Sequence, residues 1–316
     1  MKILVTGAAG FLGSRLVKAL LASPPAGFTA VIAADTAEPP LRDPRVEARV
    51  GTIADADFAR SLVDADVRMV YHLAAVLSGG AEAEFDVGLA VNVDGTRALL
   101  EACRARGTSP RFVFASTIAV FGGELPPIVP EDLALTPQTS YGAEKAIAEP
   151  LVAEYSRRGF VDGVACRIPT ITVRPGKPNS ALSSFVSGIV REPLAGIETT
   201  CPVPLDTAIW ISSPDVVTRN LVHAGRIDTA LLGTRRALNL PGLTVTAGNL
   251  LDGLHRVGGA EARARVRVEH DERVARAMRG WPAALDASRA LGLGFVRDTD
   301  VDSVVQQYLD AQRAAG

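Results

Sequence analysis

Short apolar runs alternate with longer helical segments through the first half of the chain. The first run, residues 2–6, leads through glycines into a segment with Leu12, Leu16 and Leu20 on one helical face. Further apolar runs occupy residues 30–34, 67–75, 111–117 and 161–168, and a weaker one occupies residues 46–50. Strands that alternate with helices pair in parallel and are buried on both faces. The pattern therefore predicts an α/β fold with a doubly wound parallel sheet.

The amino-acid composition changes after Pro169, where prolines become frequent. Six prolines fall between residues 175 and 214, and a sheet core does not tolerate that density because proline lacks an N–H donor. We therefore expect a first domain over residues 1–169 and a smaller C-terminal lobe of loops, short helices and short strands over residues 170–316. A helix and a strand near residues 213–240 are expected to return to the first domain. The longest predicted helices cover residues 85–106, 140–158 and 300–314.

Composition excludes several classes of protein. With 33 Lys+Arg against 35 Asp+Glu, the net charge of −2 argues against a nucleic-acid partner. No apolar stretch approaches the roughly 20 residues of a membrane helix, and the N-terminus lacks the pattern of a signal peptide. Three dispersed cysteines favour a reducing cytoplasm, and the four histidines have no metal-ligand spacing, so no metal site is predicted.

A glycine triplet separates the first strand from the first helix. Residues 6–13 read Thr-Gly-Ala-Ala-Gly-Phe-Leu-Gly. Gly7 allows the tight turn, Gly10 lets the backbone approach a pyrophosphate at the helix N-terminus, and Gly13 allows close packing of helix on strand. An ordinary glycine-rich turn is the alternative, but the position between strand and helix favours a dinucleotide site that includes Phe11 and Leu12.

An acidic residue at the end of the second strand supports the same site. Asp35 follows Gly13 at close to the spacing of about 20 residues that dinucleotide-binding proteins show. Its carboxylate can accept hydrogen bonds from the ribose hydroxyls of adenosine and would repel a 2′-phosphate, while Thr36 supplies no positive charge. The sequence therefore predicts NAD, in preference to NADP, as the cofactor.

A tyrosine and a lysine lie four residues apart in the predicted helix over residues 140–158. Tyr141 and Lys145 share one helix face, so phenol and ammonium can project together. A free phenol has a pKa of about 10, and a nearby ammonium favours its ionised form, which makes Tyr141 a candidate general base. Ser116 and Thr117 end the fifth strand and are candidate hydroxyls for holding the substrate oxygen. The alternative is an exposed helix pair without chemical function.

Together these motifs resemble the extended short-chain dehydrogenases/reductases. The glycine spacing, the His-Leu-Ala-Ala run at residues 72–75, Asn92, the Ser116-Thr117 pair and Tyr141/Lys145 carry the resemblance. It implies a Rossmann domain, a Ser/Thr-Tyr-Lys mechanism with Thr117 the closer match and Ser116 still open, and a homodimer formed through the helices over residues 85–106 and 140–158. The implied cofactor contacts are Gly7, Gly10, Phe11, Leu12, Gly13, Asp35, Leu73, Ala74, Ala75, Asn92, Tyr141, Lys145 and Pro169.

The substrate is suggested by residues 167–196. Ile118 and Ala119 follow Thr117 where a nucleotide-sugar dehydratase would carry an acid pair, so dehydration is not expected. The Arg-Pro-Gly-Lys-Pro-Asn run at residues 174–179 and the Arg-Glu-Pro-Leu-Ala-Gly run at residues 191–196 resemble D-erythronate dehydrogenases. This resemblance implies NAD-dependent oxidation of the C2 hydroxyl of a sugar acid. A carboxylate needs a cation, which Arg174 or Lys177 can supply. With the catalytic hydroxyls and a nearby amide, the candidate substrate contacts are Ser116, Thr117, Tyr141, Arg174, Lys177 and Asn179.

Two other functions stay open at this stage. A nucleotide-sugar epimerase would retain NAD and return the hydride to the same substrate, so it would release no NADH. A non-enzymatic regulator that binds NAD is the second alternative. The intact Tyr141/Lys145 pair argues against a regulator, which needs neither residue.

Overall fold

A computed structural model describes residues 1–176 and 183–314 of the 316-residue chain. The described part contains twelve strands: β1 Lys2–Thr6, β2 Ala30–Asp35, β3 Val46–Val50, β4 Val67–His72, β5 Arg111–Thr117, β6 Asp162–Ile168, β7 Thr170–Ile171, β8 Thr199–Cys201, β9 Ala208–Ser212, β10 Ala237–Asn239, β11 Leu243–Thr246 and β12 Val266–Val268. Its α-helices are α1 Phe11–Ala22, α2 Ala56–Ser61, α3 Ser78–Ala83, α4 Phe85–Gly88, α5 Thr96–Arg106, α6 Ser140–Arg157, α7 Ser184–Leu194, α8 Pro214–Ala224, α9 Ala247–Ala264, α10 Glu272–Arg279, α11 Ser288–Gly292 and α12 Val301–Arg313.

The chain divides into two compact units. Unit 1 comprises Met1–Val120, Thr139–Arg167 and Thr218–Leu238, and unit 2 comprises Phe121–Gln138, Ile168–Val217 and Asn239–Gly316. The segment Phe121–Gln138 thus groups with unit 2, although the sequence placed it within the first domain. Its Val129 pairs with Leu285 in a parallel bridge, a contact more than 150 residues away that no local pattern reveals.

Unit 1 is built on a seven-stranded sheet of order β10-β6-β5-β4-β1-β2-β3. The pairs β1–β2, β1–β4, β2–β3 and β4–β5 are parallel, which confirms the predicted doubly wound sheet. β10 joins this sheet beside β6, as expected of a strand near residues 213–240 that returns to the first domain. Neighbouring β1 and β4 place the carboxyl ends of two strands side by side, and ligands of doubly wound folds bind at that edge.

One predicted helix of unit 1 is wrong in detail. The segment over residues 85–106 was expected to be a single α-helix, but α4 and α5 are separated by wider π-helical turns over Leu89–Gly95. Side chains crowd the glycines at both ends of these turns: a Cβ on Gly88 would lie 2.3 Å from Glu144 Oε1, and one on Gly95 would lie 2.9 Å from Ile53. The turns carry Asn92, and such π-helical insertions are frequent at functional sites.

Unit 2 has more regular structure than the proline-rich sequence suggested. It contains a three-stranded sheet of order β11-β9-β7 and the parallel pair β8–β12. α9 packs against β11 and β12, α7 packs against β8, and α12 packs against α9. The 18-residue α9, interrupted at Gly259, was not predicted from the sequence and is longer than the predicted terminal helix over residues 300–314. Its Leu250, Leu251 and Leu254 are buried in a core that belongs to unit 2. Among the described residues, no helix is long and apolar enough to cross a membrane.

Candidate active site

Backbone crowding explains the glycines after β1. Gly7 has a φ of +73°, and a Cβ there would lie 2.7 Å from the backbone nitrogen of Ala74. A Cβ on Gly13 would lie 2.0 Å from the carbonyl oxygen of Gly7. The loop after β1 and the predicted cofactor-lining segment after β4 therefore approach each other at backbone distance, as a cradle for a dinucleotide requires.

The N-terminus of α1 has the properties of a phosphate site. Gly10 is the N-cap, its backbone is extended with φ −68° and ψ 167°, and no side chain caps the helix. The first turn contains no acidic residue, so the N–H groups at the start of the helix and its positive dipole end meet no negative charge from that turn. This arrangement suits a pyrophosphate against Gly10, Phe11 and Leu12.

Asp35 lies at the end of β2 and contacts the glycine loop. Its Oδ2 accepts a hydrogen bond from the Ala9 N–H at 2.9 Å, and its Oδ1 accepts one from the Thr36 N–H at 2.7 Å. These two bonds fix the carboxylate, which has about four acceptor positions and so keeps capacity for ribose hydroxyls. The residues of the loop, α1 and β2 thus fit NAD by their own geometry.

Replacing Asp35 by serine is expected to weaken the preference for NAD over NADP. The substitution removes both a ribose acceptor and the charge that repels a 2′-phosphate. The measurement is the ratio of kcat/KM for NAD to kcat/KM for NADP in the variant and the wild type. An unchanged ratio would show that Asp35 only terminates the strand and ties down the loop.

A chain of buried hydrogen bonds anchors the ends of β1 and β4. The Thr6 hydroxyl bonds His72 Nδ1 at 2.7 Å, and His72 Nε2 bonds the Thr96 hydroxyl at 2.9 Å. Because Thr96 donates its proton to the Asn92 carbonyl at 2.7 Å, His72 carries its proton on Nε2 and accepts at Nδ1. Burial and the charge of Lys145 lower the pKa of His72 to about 3, so the imidazole stays neutral.

Asn92 connects the segment after β4 to the helix that carries Tyr141. Its side-chain amide donates to the Val76 carbonyl and accepts from the Val76 N–H, both at 2.9 Å. The same amide donates to Glu144 Oε2 at 2.5 Å. Glu144 is 1% exposed, its Oε1 has no hydrogen-bond partner within the described residues, and burial raises its pKa. The sequence did not single out Glu144, although it lies between Tyr141 and Lys145.

The structure brings together Thr117, Tyr141 and Lys145. Thr117 lies near Tyr141 and favours the ionised form of its phenol, and Lys145 Nζ lies 5.8 Å from the centroid of the Tyr141 ring. Burial, with a smaller contribution from Glu144, raises the pKa of Tyr141 to about 12 in the cofactor-free protein. The phenol is therefore a weak acid here, and it needs a nearby positive charge to ionise near neutral pH.

Lys145 can supply this positive charge, and its burial controls how readily it is protonated. The residue is 1% exposed, and its Nζ lies 4.6 Å above the Phe114 ring. Burial lowers the pKa of Lys145 to about 7, against a partly compensating attraction to Glu144. The ammonium and amine forms are thus both accessible near neutral pH.

Replacing Lys145 by methionine is expected to stabilise the cofactor-free protein most at low pH. The lysine pKa is 10.5 in the unfolded chain and about 7 in the folded one, so between these values the unfolded state binds more protons. Wild-type stability therefore rises with pH in that window, and the advantage of Lys145→Met should shrink. Calorimetric unfolding at pH 6, 8 and 9.5 measures it, and a pH-independent difference would contradict the lowered pKa.

Ser116, the other candidate hydroxyl, makes different contacts. It is 2% exposed, and its Oγ donates to Glu149 Oε1 at 2.6 Å. Glu149 also accepts from Arg167, whose Nη2 lies 2.8 Å from Oε2 in a buried ion pair. Adjacent residues of a strand face opposite sides of the sheet. The geometry therefore favours Thr117, and not Ser116, as the hydroxyl beside Tyr141.

The remaining predicted site residues come after β6 in the chain. Pro169 is buried between β6 and β7, and Arg174 is half-buried on the loop after β7. Lys177 and Asn179 lie outside the described residues. The Arg174 N–H donates to Ser187 Oγ at 3.0 Å, and its carbonyl accepts from Arg191 Nη1 at 2.7 Å, so α7 fixes both of its backbone polar groups. Arg191 was noted in the sequence only as part of a motif.

Comparison with known proteins agrees with this geometry. The profile of the NAD dependent epimerase/dehydratase family matches residues 3–210, about two thirds of the chain. The chain belongs to this family. It is an NAD-dependent oxidoreductase of the short-chain dehydrogenase/reductase type, as the sequence motifs predicted.

Individual relatives cover the chain almost completely. A D-erythronate dehydrogenase from Cupriavidus necator is 48% identical over 98% of both chains. A D-erythronate dehydrogenase from Haemophilus influenzae is 41% identical over 98% of this chain and 99% of its own. Among solved structures, a protein from Agrobacterium tumefaciens described as a nucleoside-diphosphate-sugar epimerase has a TM-score of 0.96 and 40% identity, covering 100% of this chain and 95% of its own.

Proposed function

We propose that the protein oxidises the C2 hydroxyl of D-erythronate to give 2-keto-D-erythronate, with NAD as the hydride acceptor. The position of buried Lys145 beside Tyr141, with Thr117 near the same phenol, is the observation that carries this proposal. The two relatives named D-erythronate dehydrogenase, at 48% and 41% identity, support this choice of sugar acid.

The reaction divides between cofactor and protein. NAD, which Gly7, Gly10 and Asp35 would help to hold, would supply the acceptor for the hydride of the C2–H bond. Tyr141 Oη takes the proton of the C2 hydroxyl, so that a C=O bond forms. Thr117 Oγ1 holds the substrate oxygen in line, and the Lys145 ammonium stabilises the phenolate before it accepts the proton. Atoms and charge balance with one NADH and one proton formed per alcohol oxidised.

Arg174 is proposed to bind the substrate carboxylate. The loop after β7 follows the carboxyl end of β6, the edge where ligands of doubly wound folds bind, and Arg174 is the first cation on that loop. A guanidinium offers two parallel N–H donors that match a carboxylate. Lys177 and Asn179 stay predictions as further contacts.

Net production of NADH distinguishes the proposed function from the alternatives. The purified protein is incubated with NAD and a panel of four- to six-carbon sugar acids, and NADH is followed by its absorbance. We expect turnover of D-erythronate and none of UDP-sugars. The Agrobacterium tumefaciens relative described as an epimerase makes the UDP-sugar arm essential. Epimerised UDP-sugar without free NADH would favour an epimerase, and binding of NAD without any turnover would favour a regulator.

The homodimer stays a prediction. It is supported by exposed apolar side chains near the two helices that the family resemblance implicates, namely Leu77, Phe85, Val87 and Ile147. These side chains lie on or beside α3, α4 and α6, which pack together within unit 1.

A further inference from the structure

Arg191 is a buried cation that the proposed reaction does not yet use. It is 6% exposed on α7, where the helix packs against α9 and β8 within unit 2. Its Nη1 donates to the Arg174 carbonyl at 2.7 Å, and its Nη2 pairs with Glu192 Oε1 at 2.6 Å. A guanidinium can reach both acceptors because its donors project as a rigid fork.

The same helix holds Arg174 from a second side. Ser187, one turn before Arg191, accepts a hydrogen bond from the Arg174 N–H at 3.0 Å and donates to the Ile171 carbonyl at 3.3 Å. The backbone of Arg174 is thus bound at both its N–H and its carbonyl. Fixing the backbone limits the positions that the Arg174 guanidinium can sample.

Arg174 and Arg191 also bring two positive charges together, of which Arg191 is paired with Glu192. Residues 175–190 contain no acidic residue, and Glu192 is the first carboxylate after Arg174. On α12, Tyr308 faces Arg191 and Glu192, while Asp302 is paired with Arg256 of α9. Burial and the neighbouring Arg191 lower the pKa of the Arg174 guanidinium. A bound anion would relieve this repulsion between like charges.

We propose that Arg191 is a positioning residue for substrate binding. It fixes the backbone of Arg174, so that this part of unit 2 takes the carboxylate of a small hydroxy acid and discriminates against neutral polyols. The inference rests on the proposed role of Arg174 in the proposed function. It adds a residue that acts on the substrate through Arg174 and not by its own contact.

Binding without turnover gives the most direct test. In Tyr141→Phe protein loaded with NAD, calorimetric titration with D-erythronate measures affinity while the reaction is blocked. Arg191→Gln is expected to weaken binding roughly 10- to 100-fold, the range for loss of a hydrogen bond to a charged group. Arg191→Lys should lose less because a lysine ammonium can still donate a hydrogen bond to the Arg174 carbonyl. Glu192→Gln is the matched control, since it removes the opposite charge and should leave binding as tight or tighter.

A double-mutant cycle separates positioning from direct contact. If Arg191 acts through Arg174, Arg191→Gln should have a much smaller effect in an Arg174→Ala background than in its presence. NAD affinity should be unchanged in every variant. Additive effects, or a loss of NAD affinity equal to the loss of acid affinity, would overturn the inference. If Arg191→Gln does not fold, Ser187→Ala provides the test, because it frees the Arg174 N–H without changing any charge and should also weaken acid binding.

The outcomes separate this inference from the proposed function. NADH formation from D-erythronate, with binding insensitive to Arg191→Gln, would refute the inference and leave the function intact. Acid binding that depends on Arg191 without NADH formation in the Tyr141-containing enzyme would refute the function and support the anion site. Failure of D-erythronate to bind the NAD-loaded protein at all would refute both.

Discussion

Tyr141→Phe is expected to reduce turnover on the order of 100-fold or more and to leave NAD affinity close to that of the wild type. The phenylalanine ring fills the same space on α6, so only the hydroxyl that accepts the proton is lost. Steady-state rates with D-erythronate measure the first effect, and quenching of protein fluorescence by NAD measures the second.

The same helix supplies a matched control for this variant. Tyr155 also lies on α6 and donates its hydroxyl to Glu101, a contact within unit 1 that takes no part in the proposed reaction. Tyr155→Phe should therefore keep near-wild-type turnover. Substantial activity in Tyr141→Phe, or an equal loss in Tyr155→Phe, would contradict the assignment of Tyr141 as the base.

Most strands of the sheet in unit 1 are predictable, because a parallel strand buried on both faces consists of consecutive apolar residues in the sequence. β1 and β5 begin and end where the sequence indicates, since Gly7 follows the first run and Pro110 precedes the second. β3 also has the predicted bounds, although it contains Glu47 and Arg49 and is not buried. Helical periodicity is less informative over residues 85–106. The close approaches of Glu144 to Gly88 and of Ile53 to Gly95 come from other segments of unit 1, so the local pattern does not reveal the π-helical turns.

Unit 2 shows where local propensity fails. α9 contains several glycines, which disfavour helix by about 1 kcal/mol each relative to alanine. Tertiary packing nevertheless requires glycine at two of these positions. A Cβ on Gly253 would lie 2.5 Å from Val301, and one on Gly258 would lie 2.6 Å from Leu194. These glycines let α9 approach α12 and α7 closely, and this tertiary gain outweighs their intrinsic cost.

Some residues of the candidate site were predictable from the sequence, and others were not. Tyr141 and Lys145 were predictable because four residues return to one helix face. The choice between Ser116 and Thr117 was not, because it depends on Glu149, which lies 33 residues from Ser116 in the chain. The contacts of Glu144 with Asn92 and of Arg191 with Arg174 are likewise hydrogen bonds between distant residues. Spacing alone carries no information about such partners.

Arg174→Ala is expected to reduce kcat/KM for D-erythronate severely while leaving NAD affinity unchanged. The carboxylate lies next to the reacting C2, so loss of its cation leaves a charge desolvated near the site of hydride transfer. Removing one partner of such a pair costs roughly 2–5 kcal/mol, or about 30- to 5,000-fold. Arg174→Lys should recover part of the loss, because it restores the charge without the two parallel donors.

The control for Arg174→Ala is an arginine with the same charge and no proposed role. Arg273 of unit 2 has a side chain 90% exposed and pairs with Asp271, so Arg273→Ala should leave kcat/KM within about twofold of the wild type, as expected for an exposed surface pair. Substrate comparison completes the argument. If Arg174 binds a carboxylate, a neutral four-carbon polyol should be a poor substrate for the wild type and should lose little further rate in Arg174→Ala. A polyol oxidised as fast as the acid by the wild type would show that the site does not recognise the carboxylate.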